Sequence, residues 1–179
     1  INVFNYLNDV IKENDAVILR STVNIGLTRE MCESFSKTIM YCFAPERTIE
    51  GKAMEELKSL PQIIGANKEK DKSFFKIFFQ KISNEVLNLK NSESAELVKL
   101  TSNVYRDVIF GFSNEISLIS YYNNINPKEV IDACNYKYSR CDIKSSGPVA
   151  GPCLSKDSYI LSSTFKEINK KSIILTSRK

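Results

Sequence analysis

Apolar residues along this chain switch between a helical period and short continuous runs of strand length. Phe4, Leu7 and Ile11 fall on one helical face within residues 1–14, and Asp15 then opens the apolar run Ala16 to Leu19, which reads as a buried strand. Leu27, Met31 and Phe35 return to helical spacing before a strand-like segment from Ile39 to Phe43. Further strands are predicted at Gln62 to Gly65 and Glu85 to Leu89, with a helix around Phe74, Phe75, Phe78 and Ile82 between them. Helix and strand alternating in this way is the pattern of a parallel α/β sheet.

From Ser92 the alternation stops, and one helical stretch runs to about Tyr122. Ser92 is its expected cap, with Glu93 and Glu96 near the positive end of the helix dipole. Asn-rich sequence ends the stretch. Asn126, Pro127 and Glu129 then have the order of a cap, a first-turn proline and a capping-box acid for a second, short helix. The expected division lies near residue 90, with a sheet-bearing part over 1–90 and an all-α part over 91–179.

With 42% apolar and 26% charged residues, the 179-residue chain can bury one ordinary core or two small ones. The positive excess of four is scattered, so neither nucleic acid nor membrane is an expected partner. Only Lys166, Lys170, Lys171, Arg178 and Lys179 crowd together, as a solvated tail. No apolar run approaches the roughly 20 residues of a membrane span, and the start lacks a signal-peptide layout, which makes the cytoplasm the expected location. Five cysteines (Cys32, Cys42, Cys134, Cys141, Cys153) without CxxC spacing argue against a disulfide framework and against a zinc site, so no metal is expected. The absence of histidine excludes Ser-His and Cys-His catalysis and leaves proton transfer to Lys, Glu, Asp, Cys or Tyr. The six glycines contain no GxGxxG arrangement for a pyrophosphate, and Ile1 opens inside a helical pattern. An upstream nucleotide-binding unit is therefore expected to be missing.

Four segments carry candidate chemistry. Gly147-Pro-Val-Ala-Gly-Pro-Cys153-Leu-Ser-Lys-Asp157 joins backbone freedom, a thiol and two charged groups directly before a helix. Cys153 is there either a nucleophile, helped by the helix N-terminus and a nearby lysine, or an inert buried thiol after a turn. Lys99 and Asn103 lie four apart on the long helix, where they form either a pair of donors to a developing alkoxide or an exposed polar stripe. Glu46 and Glu50 flank Arg47 in APERTIEG just beyond a predicted strand end, where α/β sheets bind ligands. One of them serves as a general base, or both belong to a solvated first helical turn. Ser21 and Thr22 in STVNIG also follow a strand and are placed to contact a cofactor, although Ser-Thr before a glycine turn is a weak signal by itself.

Taken together and in this order, STVNIG, APERTIEGKAMEEL, SAELVKLTSN and GPVAGPCLSKD resemble the UDP-glucose/GDP-mannose dehydrogenase family from about residue 15 to about residue 161. Arg47 after Pro-Glu is similar to its UDP-N-acetylhexosamine 6-dehydrogenase branch. The resemblance implies an α/β fold: part of a Rossmann-like, NAD-binding parallel sheet, then an all-α central dimerisation domain with a long helix and the start of the link to a missing UDP-binding domain. It also implies two successive hydride transfers to NAD that take the C6 alcohol of a UDP-sugar to a uronate. Cys153 would form a thiohemiacetal and then a thioester, with Lys99 and Asn103 stabilising the oxyanions. Glu50 would assist thioester hydrolysis, and Asp157 and Thr22 would position water and the lysine. Ser21, Thr22, Val23, Glu50 and Lys156 would lie beside NAD. Glu46, Arg47, Lys99, Asn103, Arg140, Gly147 and Gly151 would contact the UDP-sugar, Arg140 acting on the neighbouring subunit of a homodimer.

Ala150 stands where the family has glycine, so an added methyl would disturb a backbone approach to substrate. With both flanking domains expected to be missing, the chain alone is expected to be inactive. Two rival readings differ in class. A β-hydroxyacid dehydrogenase relative also places Lys and Asn four apart on a long helix, but performs one oxidation without a cysteine nucleophile. A noncatalytic dimerisation remnant would need neither.

Overall fold

The computed structural model describes residues 2–148, 151, 153–163 and 172–176. The chain packs as two compact units, Ile1–Lys99 and Leu100–Lys179. Ala150 and the lysine-rich end (Lys166, Lys170, Lys171, Arg178 and Lys179) lie outside the described residues.

In the first unit α1 (Asn2–Val10), β1 (Ala16–Leu19), α2 (Leu27–Glu33) and β2 (Met40–Phe43) precede α3 (Ala53–Ser59), β3 (Gln62–Gly65), α4 (Glu69–Gln80) and β4 (Val86–Leu89). The first helix is shorter than residues 1–14, and α2 stops at Glu33, so Phe35 reaches the core from a loop by stacking on Phe4 at 5.7 Å. The four strands form one sheet in chain order. β1 and β2 run parallel, with Leu19 opposite Phe43, and β3 and β4 run parallel, with Gln62 opposite Val86. One junction departs from the expected all-parallel sheet, because β2 and β3 are antiparallel, paired at Phe43 and Gly65. α3 buries none of its residues. It does not pack across the sheet as the crossover helix of a parallel connection must, and β3 therefore starts from the edge at which β2 ended.

Alternation along β2 divides the core. Cys42 and Ala44 face Ile64, Ala66 and the α4 residues Phe75 and Phe79, which stand four apart on one helical face. Tyr41 turns the other way to Ile11, Cys32 and Ile39. Phe43 shares Tyr41's direction and meets Ile63 and Ala95, with Leu19, Val23, Leu89 and Val98 around them.

Ala95 and Val98 belong to the first turns of α5 (Ser92–Tyr122). Their packing places the boundary between compact units inside this helix, after Lys99. The cap of α5 is Asn91 rather than Ser92, for the Asn91 Oδ1 accepts from the Ser94 amide at 2.9 Å. Ser92 is fully buried and donates its hydroxyl and its amide to Asn67 Oδ1, at 2.8 and 3.1 Å.

In the second unit the rest of α5 accompanies α6 (Pro127–Asn135), α7 (Leu154–Ser163) and α8 (Ile173–Thr176). Asn126 caps α6 as expected, its side chain accepting from the Lys128 amide with Pro127 in the first turn. Ser113 and Ser120 are buried inside α5 and satisfy their hydroxyls on the carbonyls of Ile109 and Ile116, four residues back. Asn135 exchanges two hydrogen bonds with the backbone of Ile143, at 2.8 and 2.9 Å, which closes the loop after α6. Among the described residues no helix is long and apolar enough to cross a membrane.

Gly65 is where β3 meets the start of α5: a Cβ there would stand 2.1 Å from the Asn91 carbonyl oxygen and 2.9 Å from the Ala95 methyl. Gly65→Ala is expected to cost about 1–3 kcal/mol, seen as a lower urea midpoint with an unchanged slope. Gly147→Ala, where the added carbon meets nothing within 4 Å, should leave stability within about 0.5 kcal/mol.

Candidate functional site

Parallel pairing brings the carboxyl ends of β1 and β2 to one edge of the sheet. The Ala44 amide donates to the Leu19 carbonyl at 2.9 Å, and the Glu46 amide to that of Arg20 at 3.3 Å, so the two loops leave the edge side by side. Arg20 Nη2 then pairs with Glu46 Oε2 at 2.8 Å, and the Thr48 amide donates to Glu46 Oε1 at 2.9 Å. Partial burial works against ionisation of Glu46. The bonds from Thr48 and Arg20 outweigh it and hold the carboxyl at about 2. Lys99 reaches the same loop from α5, donating Nζ to the Glu46 carbonyl at 2.5 Å.

The remaining first-unit candidates lie around this knot. Glu50 is exposed in a turn, and Arg47 is exposed as well, with Nη1 3.5 Å from the Pro61 carbonyl. The stretch from Ala44 to Lys52 is not helical, since α3 begins only at Ala53. Glu46 and Glu50 therefore do not form a solvated first helical turn. Ser21 is exposed, Thr22 is half-buried, and Val23 anchors their loop against Leu19, Phe43 and Ala95.

In the second unit Cys153 is exposed in the turn directly before α7, and its carbonyl accepts from the Asp157 amide at 3.1 Å. It is not the buried thiol of the alternative reading. Cys32 and Cys42 are buried, which pushes the Cys32 thiol up to about 12 and raises Cys42 as well. Asp157, one turn into α7, is fully buried. Its Oδ2 accepts from Asn103 Nδ2 at 2.6 Å, whereas Oδ1 has no hydrogen-bond partner among the described residues. Next to it, Ser158 Oγ donates to Asp107 Oδ2 at 2.7 Å. With Asn103 only 8% exposed and Lys99 engaged on Glu46, the exposed-stripe alternative for this pair fails.

Gly147 is exposed but held, its amide and carbonyl both paired with the side-chain amide of Asn114 at 2.8 and 3.0 Å. Gly151 has a φ of +118°, a conformation that L side chains rarely adopt. Lys156 and Arg140 are exposed, the guanidinium of Arg140 lying 4.7 Å above the Tyr138 ring. Arg20 and Asn114 hold the site residues Glu46 and Gly147, and Asp107 holds Ser158 beside Asp157, without having been singled out in the sequence. Asp107 and Asn114 continue the helical spacing of Asn103, four and then seven residues on. Arg20 has no such local signal.

Comparison with known proteins assigns both parts of the chain. Residues 1–83 match the NAD binding domain of the UDP-glucose/GDP-mannose dehydrogenase family, and residues 93–178 match that family's central domain. The chain belongs to the UDP-glucose/GDP-mannose dehydrogenase family.

Membership in this family of dehydrogenases sets aside the β-hydroxyacid dehydrogenase alternative. The UDP-N-acetyl-D-mannosamine dehydrogenase of Yersinia pestis is 34% identical over 174 residues, covering 85% of this chain and 40% of its own length. That of Methanocaldococcus jannaschii is 33% identical, covering 87% and 39%. The structure of UDP-D-ManNAc dehydrogenase from Pyrococcus horikoshii superposes with a TM-score of 0.90 at 28% identity, covering 99% of this chain and 44% of that one. The chain thus spans about two fifths of the length of these relatives.

The Arg20–Glu46 knot titrates in a defined direction. Glu46 is held at about 2 against an ordinary value of 4.5, so its stabilising contribution is present above about pH 4.5 and lost as pH falls toward 2. The side chain is 46% exposed, and solvent screening keeps that contribution small. In urea unfolding at stepped pH, the stability gap between wild type and Glu46→Gln should be widest near neutrality and close between about pH 4.5 and 2. A gap that stayed constant through that range would exclude the carboxylate as its source.

Proposed function

We propose that this chain carries the catalytic middle of an NAD-dependent UDP-N-acetylhexosamine 6-dehydrogenase, which oxidises the C6 alcohol to a carboxylate with Cys153 as covalent nucleophile. The observation that carries this reading is the start of α7. There an exposed thiol precedes, by one turn, a fully buried carboxylate with one oxygen on Asn103 and the other without a partner among the described residues. A buried acceptor left open in this way calls for a donor from outside the described residues, as a substrate, a water or a lysine ammonium would supply.

The donor set at the sheet edge suits a dinucleotide: the hydroxyls of Ser21 and Thr22 follow the carboxyl end of a parallel strand, where α/β sheets bind such ligands. Val23 fixes their loop, and Glu50 and Lys156 are the charged groups assigned to the cofactor's vicinity. Ser21, Thr22 and Val23 would hold NAD, which when bound would supply the two-electron acceptor that each of the two oxidations at C6 requires, two per sugar.

Between the oxidations the Cys153 thiolate adds to the C6 carbonyl. A C–S bond forms, and the carbonyl oxygen takes up the negative charge and then a proton, giving a thiohemiacetal. Loss of the second hydride from C6, together with release of the hydroxyl proton to solvent, leaves a thioester on Sγ. Water then attacks the thioester carbonyl, the C–S bond breaks, and the carboxylate leaves as the thiol is restored. Lys99 and Asn103 donate to the oxygen wherever negative charge develops. Lys99 retains hydrogens for this after its bond to the Glu46 carbonyl, because an ammonium carries three donors. Glu50 accepts the proton of the attacking water, while Asp157 and Thr22 orient that water and the lysine. No histidine is needed at any step.

Glu46, Arg47, Gly147 and Gly151 are assigned to the nucleotide sugar, with Arg140 reaching the site of a second copy. α5 exposes Tyr105, Phe112, Leu118 and Ile119, an apolar surface that supports a homodimer.

In a protein carrying this segment within the full length of its relatives, Cys153→Ser should lower uronate formation from UDP-N-acetylhexosamine by roughly 10³-fold or more. NADH and uronate are measured together. A variant that made uronate at the normal rate would defeat the covalent mechanism, and a wild type that reduced no NAD would favour the noncatalytic remnant.

A further inference from the structure

Glu96 was expected only to complement the dipole of its own helix, yet it is fully buried in the second turn of α5 and bonds elsewhere. Its Oε2 accepts from the Gly26 amide at 2.6 Å and its Oε1 from the Thr28 amide at 2.9 Å. A carboxylate tolerates such burial only where its oxygens find donors, and backbone amides at the start of a helix are well suited to it. Gly26, at φ +90°, supplies the turn that aims its amide at the carboxylate. On either side of Glu96, Ala95 and Val98 belong to the apolar cluster that contains Val23 and Leu19.

The loop between β1 and α2 is therefore gripped twice by one stretch of α5: at Val23 by apolar contact and at Gly26 and Thr28 by the carboxylate. Ser21 and Thr22 lie between the end of β1 and these grips. Three residues beyond Glu96, Lys99 holds the companion loop after β2 through the Glu46 carbonyl.

We propose that Glu96 is a positioning residue for the cofactor loop, setting Ser21 and Thr22 at a fixed place relative to Lys99. It rests on the NAD-dependent reading above and adds a residue that touches neither cofactor nor sugar. Glu96→Gln keeps the shape of the side chain but replaces one acceptor by an NH2 group facing a backbone N–H. A role limited to filling space is satisfied by glutamine, whereas a positioning role is not.

The test is steady-state kinetics in a protein with the full length of the relatives, varying NAD and UDP-N-acetylhexosamine separately. Glu96→Gln is expected to raise KM for NAD about tenfold or more and to leave KM for the sugar within about twofold. Gly26→Ala strains the same joint at positive φ without a steric clash, as nothing lies within 4 Å of the added carbon, and should show the same selectivity. An unchanged KM for NAD in folded Glu96→Gln, or an equal rise for both substrates, overturns the assignment. If Glu96→Gln does not fold, Gly26→Ala decides by the same criterion. If the wild type reduces no NAD, the dehydrogenase reading has failed instead. The joint is then judged in this chain by hydrogen exchange at Gly26 and Thr28, which must quicken about tenfold in Glu96→Gln; unchanged exchange overturns the grip itself.

Discussion

A serine buried in a helix can turn its hydroxyl back to a carbonyl four residues before it, as Ser113 and Ser120 do, but a longer charged or amide side chain on an inward face finds its partner on another segment. α5 carries several such side chains at helical spacing. In the first unit, Glu96 takes the amides of Gly26 and Thr28, and Lys99 takes the carbonyl of Glu46. In the second, Asn103 meets Asp157, Asp107 meets Ser158, and Asn114 meets the backbone of Gly147. Each of these bonds draws in a loop or a helix start that would otherwise be placed only by chain connectivity. Irregular segments become definite because a regular one presents them with unsatisfied groups.

The sheet does comparable work with fewer contacts. Parallel pairing of β1 and β2 sends two loops from one edge, and the ion pair of Arg20 with Glu46 joins them there. A carboxylate already paired with a guanidinium and a backbone amide is poorly suited to act as a base. Glu50, four residues on, is exposed in a turn.

Exposure separates the cysteines in a similar way. Cys32 and Cys42 fill the two faces of the sheet core as small apolar groups, and burial holds their thiols protonated. Cys153 stands in solvent at the start of α7, beside the positive end of a helix. Neither residue type nor spacing distinguishes these thiols.

Period and punctuation in the sequence determined the alternation of helix and strand in the first unit apart from α3, the strand from Gln62 to Gly65 and the full extent of the long helix, because these depend on local backbone preference and on which face is apolar. Four ordered motifs likewise determined the family to which the chain belongs. Tertiary structure alone decided the antiparallel junction of β2 with β3, since strand direction depends on where the connection packs. It also decided that Asn91 rather than Ser92 caps α5, because Asn67 captures Ser92 from another loop. The inward turn of Glu96 belongs to the same class: a glutamate near a helix start has the same sequence signature whether it faces water or two amides 70 and 68 residues away. Hydrogen bonds between residues so far apart leave no periodic trace in the chain, and only the fold brings their partners within reach.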